Sequence, residues 1–147
     1  MANPSDFPAV GMILSADDAS VTFKPKNTSY ELKLLTSSRY DGPNGKRVEG
    51  VIRVQARKVY TVPSGGNFIV PIYGPPRIVQ GRIRYLDDRA MVVQAGLPVV
   101  VELPAAEDAY DLVNGPLAVG ALVNVPGLPG ATIEIIHHPA AVGSARA

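Results

Sequence analysis

Two pairs of adjacent carboxylates are the first residues of this chain whose types could do chemistry. Asp17-Asp18 and Asp87-Asp88 stand 70 positions apart, and paired carboxylates can bind a metal ion or act as general acid and base. Neighbouring residues of a strand point to opposite faces, however, and each pair interrupts a run of strand-forming residues. An aspartate in a turn accepts hydrogen bonds from nearby backbone N–H groups. We therefore interpret both pairs as hairpin turns.

Three other segments could bind a metal ion or an anion. His137 and His138 are adjacent, so a strand would send their imidazoles to opposite faces, whereas a metal site needs both on one face. The segment 42–47 is rich in glycine and cations but lacks the spacing of a phosphate loop and the Ser or Thr that follows its Lys. Residues 64–67 could form an anion-binding nest, although a plain hairpin turn is favoured. Because the chain also has no cysteine, we predict no catalytic residue, no cofactor and no metal site, and expect that it is not an enzyme.

Cations and aromatic rings between residues 53 and 85 form a stronger binding signal. Single-stranded nucleic acid needs cations for its phosphates and ring faces on which its bases stack. The predicted anion or nucleic-acid face consists of Arg53, Arg57, Lys58, Tyr60, Arg82, Arg84 and Tyr85. The alternative is an ordinary solvated strand face whose arginines pair with acids of the C-terminal part.

Charge is distributed unevenly along the chain. Residues 24–89 hold 13 of the 14 basic residues and carry +8, whereas residues 1–23 carry −3 and residues 90–147 carry −4. Such asymmetry indicates an anionic partner, or halves that attract each other or a second copy of the chain. The net charge of +1 is small for a nucleic-acid-binding domain. We therefore expect a non-catalytic binding or assembly module with a protein partner or a homo-oligomer, and nucleic acid is the alternative.

Short strands must position these residues. Alternation of apolar and polar residues, punctuated by Gly and Pro, predicts strands near 10–14, 20–24, 30–34, 48–62, 68–73, 81–86, 91–94, 99–103, 119–125 and 132–136. A turn or two of helix is expected within 105–112. The alternation changes phase at Arg57-Lys58, which predicts a bulge or bend, and Pro71 indicates a strand edge or a bulge.

The strand pattern occurs twice in the sequence, at a spacing of 70 residues. Nine identities occur in 40 ungapped positions where about two or three are expected from composition: Gly11, Ile13, Asp17, Asp18, Tyr40, Asp41, Asn44, Gly45 and Gly50 match Gly81, Ile83, Asp87, Asp88, Tyr110, Asp111, Asn114, Gly115 and Gly120. We predict an all-β fold made by tandem duplication of a β-barrel unit of about 70 residues. The order of elements resembles the OB-fold, and two copies that share one double-barrel core fit as well.

This organisation predicts four segments. A weakly packed lead-in covers 1–8, the first repeat 9–76, the second repeat 77–138 and a flexible tail 139–147. No run approaches the roughly 18 apolar residues that span a bilayer, and the first residues lack the features of a signal peptide. A soluble cytoplasmic protein without a membrane partner is expected.

Overall fold

A computed structural model describes residues 3–136, and this part of the chain is all-β, as predicted. Its strands are β1 (Ala9–Ala16), β2 (Ser20–Pro25), β3 (Glu31–Leu35), β4 (Arg47–Gln55), β5 (Val59–Thr61), β6 (Phe68–Val70), β7 (Tyr73–Gly74), β8 (Ile78–Leu86), β9 (Ala90–Gln94), β10 (Pro98–Glu102), β11 (Tyr110–Asp111), β12 (Leu122–Pro126) and β13 (Thr132–Ile136). The helix predicted within 105–112 is a 3-10 turn at Glu107–Ala109, and a second such turn spans Pro4–Asp6. No described helix is long and apolar enough to cross a membrane.

Five strands close into a β-barrel. Strand β1 pairs antiparallel with β2, and β2 pairs antiparallel with β3. Strand β3 pairs in parallel with β13, which pairs antiparallel with β4. Strand β4 then returns to β1 in antiparallel register and completes the ring. The barrel therefore closes only when β13 arrives from the far end of the described chain.

The remaining strands lie outside this barrel. The end of β4 pairs in parallel with β10, and β10, β9, β8 and β12 follow in antiparallel order. Strand β12 pairs with β5, and β5 pairs with β11. The short strands β6 and β7 add to β8 and β3, with a cis peptide bond between Val70 and Pro71.

Two long segments cross between the barrel and the outer strands. Residues 49–61 run antiparallel to residues 123–136, with Ile52 opposite Ile133, Ala56 opposite Gly127 and Thr61 opposite Val123. The backbone N–H groups of Arg57 and Lys58 both donate to the carbonyl oxygen of Pro126, at 2.9 and 3.4 Å. Two residues of the first segment, Arg57 and Lys58, therefore lie opposite the single residue Pro126 of the second segment. This arrangement confirms the bulge predicted there.

One large apolar core fills the space between the strands of both halves, and a smaller cluster covers the opposite face of β9 and β10. The small cluster contains Val51, Val92 and Val100, and Phe7 and Tyr85 pack against it. The lead-in was predicted to pack weakly, which is wrong for Phe7, because this ring packs against the small cluster. Strands β9 and β10 are apolar on both faces, so their outer face needs a cover that the lead-in supplies.

The hairpins β1–β2 and β8–β9 have the same register at a spacing of 70. Ile13 faces Phe23 and Ile83 faces Val93, and both hairpins shift register immediately after these pairs. The last of the sequence identities, Gly50 with Gly120, does not correspond in the structure. Gly50 is buried inside β4, whereas Gly120 adopts a φ of +95° in an exposed turn. The reason is that β12 begins at Leu122, which is later than the position 70 residues after the start of β4 at Arg47.

Candidate binding surfaces

The aspartate pairs are turn-forming residues, as predicted. The Oδ1 atom of Asp17 accepts the backbone N–H groups of Ala19 and Ser20 at 3.0 and 2.8 Å. The Oδ1 atom of Asp87 accepts those of Arg89 and Ala90 at 2.8 and 2.9 Å. These backbone hydrogen bonds hold the pKa of both carboxyls below the usual value, because they favour the charged form.

The carboxylate of Asp18 forms an ion pair on the surface. An Oδ1 atom of Asp18 accepts a hydrogen bond from Arg39 Nη1 at 2.8 Å on the surface. Within residues 3–136 no group of three or more potential ligands is placed to hold a metal ion. His137 and His138 lie outside the described residues.

Three residues of the predicted basic face surround the lead-in. We call residues 3–7 the N-terminal strap. Arg53 Nη2 donates to Ser5 Oγ at 3.0 Å, and the guanidinium of Arg84 lies 5.2 Å from the centroid of the Phe7 ring. The ring of Tyr85 lies 5.8 Å from that of Phe7. These cations and this aromatic ring thus contact the strap that covers the small apolar cluster.

Tyr85 is also tied to the turn after its strand. Its hydroxyl donates to Asp87 Oδ2 at 2.9 Å, and this hydrogen bond is the main cause of a raised tyrosine pKa. The same bond contributes to the lowered pKa of the Asp87 carboxyl. The ring is therefore held at one edge by the turn and contacts Phe7 on the strap.

A second group of predicted residues lies beyond the bulge of the long strand. Lys58 Nζ stands 5.3 Å from the centroid of the Tyr60 ring, which is within the range of a cation–π contact. Arg57 and Lys58 line a cleft of about 640 Å³ against residues 102–109, with Glu102 and Asp108 among its walls. The lining of this cleft therefore combines charge of both signs with apolar side chains such as Leu103 and Leu128.

Arg82 belongs to neither group. Its Nη1 donates to the carbonyl oxygen of Gly120 at 2.9 Å. The seven predicted residues therefore occur as two groups and one separate arginine. Only the two groups bring a cation and an aromatic ring together.

An exposed apolar surface that was not predicted from the sequence lies on residues 68–74, which we call the β6–β7 segment. Val70, Ile72 and Tyr73 are exposed there, with 52% of Ile72 and 67% of Tyr73 accessible to solvent. Strands β6 and β7 each pair on one side only among the described residues. Pro71 did mark a strand edge, as predicted, but alternation alone does not tell which apolar residues at an edge lack a cover.

The free edge of β6 is partly blocked. The backbone N–H of Ile69 donates to the hydroxyl oxygen of Tyr30 at 3.0 Å, so this donor is not open to a further strand. Another exposed apolar stretch lies in the loop after β11, where 84% of Val113 is accessible. It follows a two-residue strand and has a less regular backbone.

Residues 3–136 contain no histidine and no cysteine, and the carboxylates with lowered pKa are engaged by turn N–H groups. What the described surface does offer is cations beside aromatic rings and apolar side chains at a strand edge. No protein-family model, curated protein or solved structure matches this chain.

Proposed function

We propose that this protein is a non-catalytic binding and assembly module that associates through the β6–β7 segment. The observation that supports the proposal is the exposure of Val70, Ile72 and Tyr73 within four positions of the β6–β7 segment, whose two short strands each pair on one side only among the described residues. Single exposed apolar residues are ordinary, but an apolar group on an incompletely paired strand edge is a place where another chain can add. A second copy of the chain is the first candidate partner.

The size of this surface predicts a weak association. Burial of an isoleucine or tyrosine side chain contributes about 1.5–3 kcal/mol, and these residues are already partly covered. Association of two proteins costs roughly 4–15 kcal/mol of lost freedom. Side-chain burial alone is therefore insufficient, and backbone pairing along the free edge must contribute. We expect a dimer that forms in the upper micromolar range or above.

Light scattering and analytical ultracentrifugation over a range of about 10 μM to 1 mM test the proposal. The wild type should show a mass that rises with concentration, and Ile72→Ser with Tyr73→Ser should abolish the rise. Val113→Ser is the matched control, because it removes an exposed apolar side chain elsewhere. A wild-type monomer at every concentration would contradict self-association.

Single-stranded nucleic acid is the second candidate ligand. The observation in its favour is the group of Arg57, Lys58 and Tyr60 beside one cleft, with the ammonium of Lys58 over the ring of Tyr60. Arg53 and Arg84 already contact the strap and could join only if the strap moved. Arg57→Glu with Lys58→Glu should weaken binding of a fluorescent single-stranded oligonucleotide and flatten its salt dependence. Binding that these changes leave intact would exclude this face.

We also propose that the fold arose by duplication of an OB-like unit, with both copies sharing one core. Equal register in the hairpins β1–β2 and β8–β9 and equal turn caps at Asp17 and Asp87 support it. The first repeat would send the end of β4 and β5 to the outer strands, and the second would send β13 to the barrel. Neither repeat would then close a barrel alone. The cytoplasmic location stays a prediction.

A further inference from the structure

Three side chains from the neighbouring strands β2, β1 and β4 form a row on the outer face of the barrel. In this row Met12 of β1 lies directly opposite Lys24 of β2 on one side and Arg47 of β4 on the other. Directly opposed residues of antiparallel strands project to the same face, and neighbouring strands are about 5 Å apart. The two cations therefore flank an exposed thioether at a backbone separation of about 10 Å.

These residues line a cleft. It has a volume of about 390 Å³. Besides the two cations and Met12, its lining consists of Val10, Gly11, Pro25, Lys26, Asn27 and Gly45. A side chain on Gly45 would meet nothing within 4 Å, so this side is open to solvent.

The cations of this cleft are poorly neutralised. Within residues 3–136 no carboxylate lies within ion-pair distance of Lys24 or Lys26, and Lys24 Nζ instead donates to the carbonyl oxygen of Thr28 at 2.9 Å. Arg47 Nη2 contacts Glu49 at 3.1 Å, and Glu49 is the acid at the border of the site. Three cations against one carboxylate leave a positive field.

Strand geometry does not demand cations at these positions. In the hairpin β8–β9 the corresponding row has Arg82 in the centre, with Gln94 and Leu122 on its two sides. That row reverses the arrangement, with an arginine between two uncharged side chains. Lysine at 24 and arginine at 47 are therefore features of this site and not of the fold.

We propose that this cleft binds a phosphate-bearing anion, with Lys24 and Arg47 on the phosphate oxygens and the organic part of the ligand on Met12 and Val10. A phosphate monoester carries nearly two negative charges at neutral pH and offers three acceptor oxygens, which suits two or three converging cations. The cleft is large enough for a phosphate together with a small apolar group. This site is separate from the β6–β7 segment, so the inference does not depend on the proposed association.

Titration of the full chain with inorganic phosphate and with phenyl phosphate, followed by amide NMR at constant ionic strength, tests the inference. Saturable shifts confined to the amides around Met12, Lys24–Asn27 and Gly45 are expected. Tighter binding of phenyl phosphate would assign the site to a phosphate ester, and equal binding would assign it to the free anion. Shifts that do not saturate, or that lie elsewhere, would overturn the proposal.

A charge-matched pair of variants locates the site. Lys24→Gln with Arg47→Gln should weaken binding by about tenfold or more, because each removes a charge-assisted hydrogen bond. Lys33→Gln with Arg39→Gln removes the same two residue types outside the cleft and should leave the affinity unchanged. Equal losses in both double variants would show that only net charge matters, and the proposal would be wrong. Since position 94 already holds Gln in the corresponding row, Lys24→Gln is compatible with the strand.

Discussion

Two glycines show how closely the paired strands approach, and their replacement tests the equivalence of the two hairpins. A Cβ atom on Gly81 would press on the carbonyl oxygen of Gln94 and lie 2.7 Å from its carbonyl carbon. A Cβ atom on Gly11 would press on the carbonyl oxygen of Lys24 and lie 2.9 Å from its carbonyl carbon. Neither glycine has a positive φ, so alanine introduces no backbone strain there and its unfavourable effect is steric. In both cases the obstacle includes backbone, which cannot rotate away, and at Gly11 the Phe23 ring also lies 2.7 Å from the added atom.

The expected cost follows from opposing contributions. Overpacking of a tightly packed site costs typically 1–3 kcal/mol, and about 3 kcal/mol is reasonable when backbone must shift. Burial of the added methyl group stabilises the folded state by about 0.8 kcal/mol, and the smaller entropy of the unfolded chain stabilises it by a further amount of about 0.4–1 kcal/mol. Gly11→Ala and Gly81→Ala should therefore each lower the free energy of unfolding by about 1–2 kcal/mol. That is a substantial share of the roughly 5–15 kcal/mol that stabilises a typical domain.

Urea denaturation followed by circular dichroism measures this loss as a lower midpoint. Gly66→Ala is the matched control, because a Cβ atom there meets nothing within 4 Å and its φ is not positive. Its free energy of unfolding should stay within about 0.5 kcal/mol of the wild type. If Gly81→Ala behaved like Gly66→Ala, the close approach of β8 and β9 would be refuted. A cost at Gly11 without one at Gly81 would refute the equivalence of the hairpins.

Three further predictions concern the strap, the turns and the interlocked halves. Phe7→Ala should lower the free energy of unfolding by about 1–2 kcal/mol, because the variant loses a half-buried ring that covers the small apolar cluster. Urea denaturation measures this loss, and Phe7→Leu is the milder control. The pKa values of Asp17 and Asp87 are lowered in the folded state, so their stabilisation is present above the unfolded value of 3.8 and is lost as the pH falls through the lower folded values. The urea midpoint should fall on acidification, and less steeply in Asp17→Asn with Asp87→Asn; an unchanged pH profile would contradict the turn-cap argument. The fragments 1–76 and 77–147 should each give a poorly dispersed NMR spectrum alone and should recover the native spectrum when mixed, because β13 of the second fragment closes the barrel formed by strands of the first. A well-dispersed spectrum of either fragment alone would count against the shared core.

Local sequence determined the strands and turns of this protein. Alternation predicted the positions of most strands, including β13 at 132–136. The change of phase at Arg57-Lys58 located the bulge, and the aspartates located two hairpin turns. These features depend on residues a few positions apart, whose side-chain directions and backbone hydrogen bonds follow from strand and turn geometry. The 70-residue spacing of the sequence identities also matches the equal register of the hairpins β1–β2 and β8–β9.

Only the tertiary structure decided which strands are neighbours and therefore which side chains share a surface. Alternation reports which side of a strand is buried, but it does not identify the strand that lies beside it. The grouping of Arg53, Arg84 and Tyr85 depends on a strap that comes from the start of the chain. The row of Lys24, Met12 and Arg47 exists because β1 lies between β2 and β4. Both surfaces join residues that are far apart in sequence, so their proximity depends on long-range pairing that no local pattern encodes.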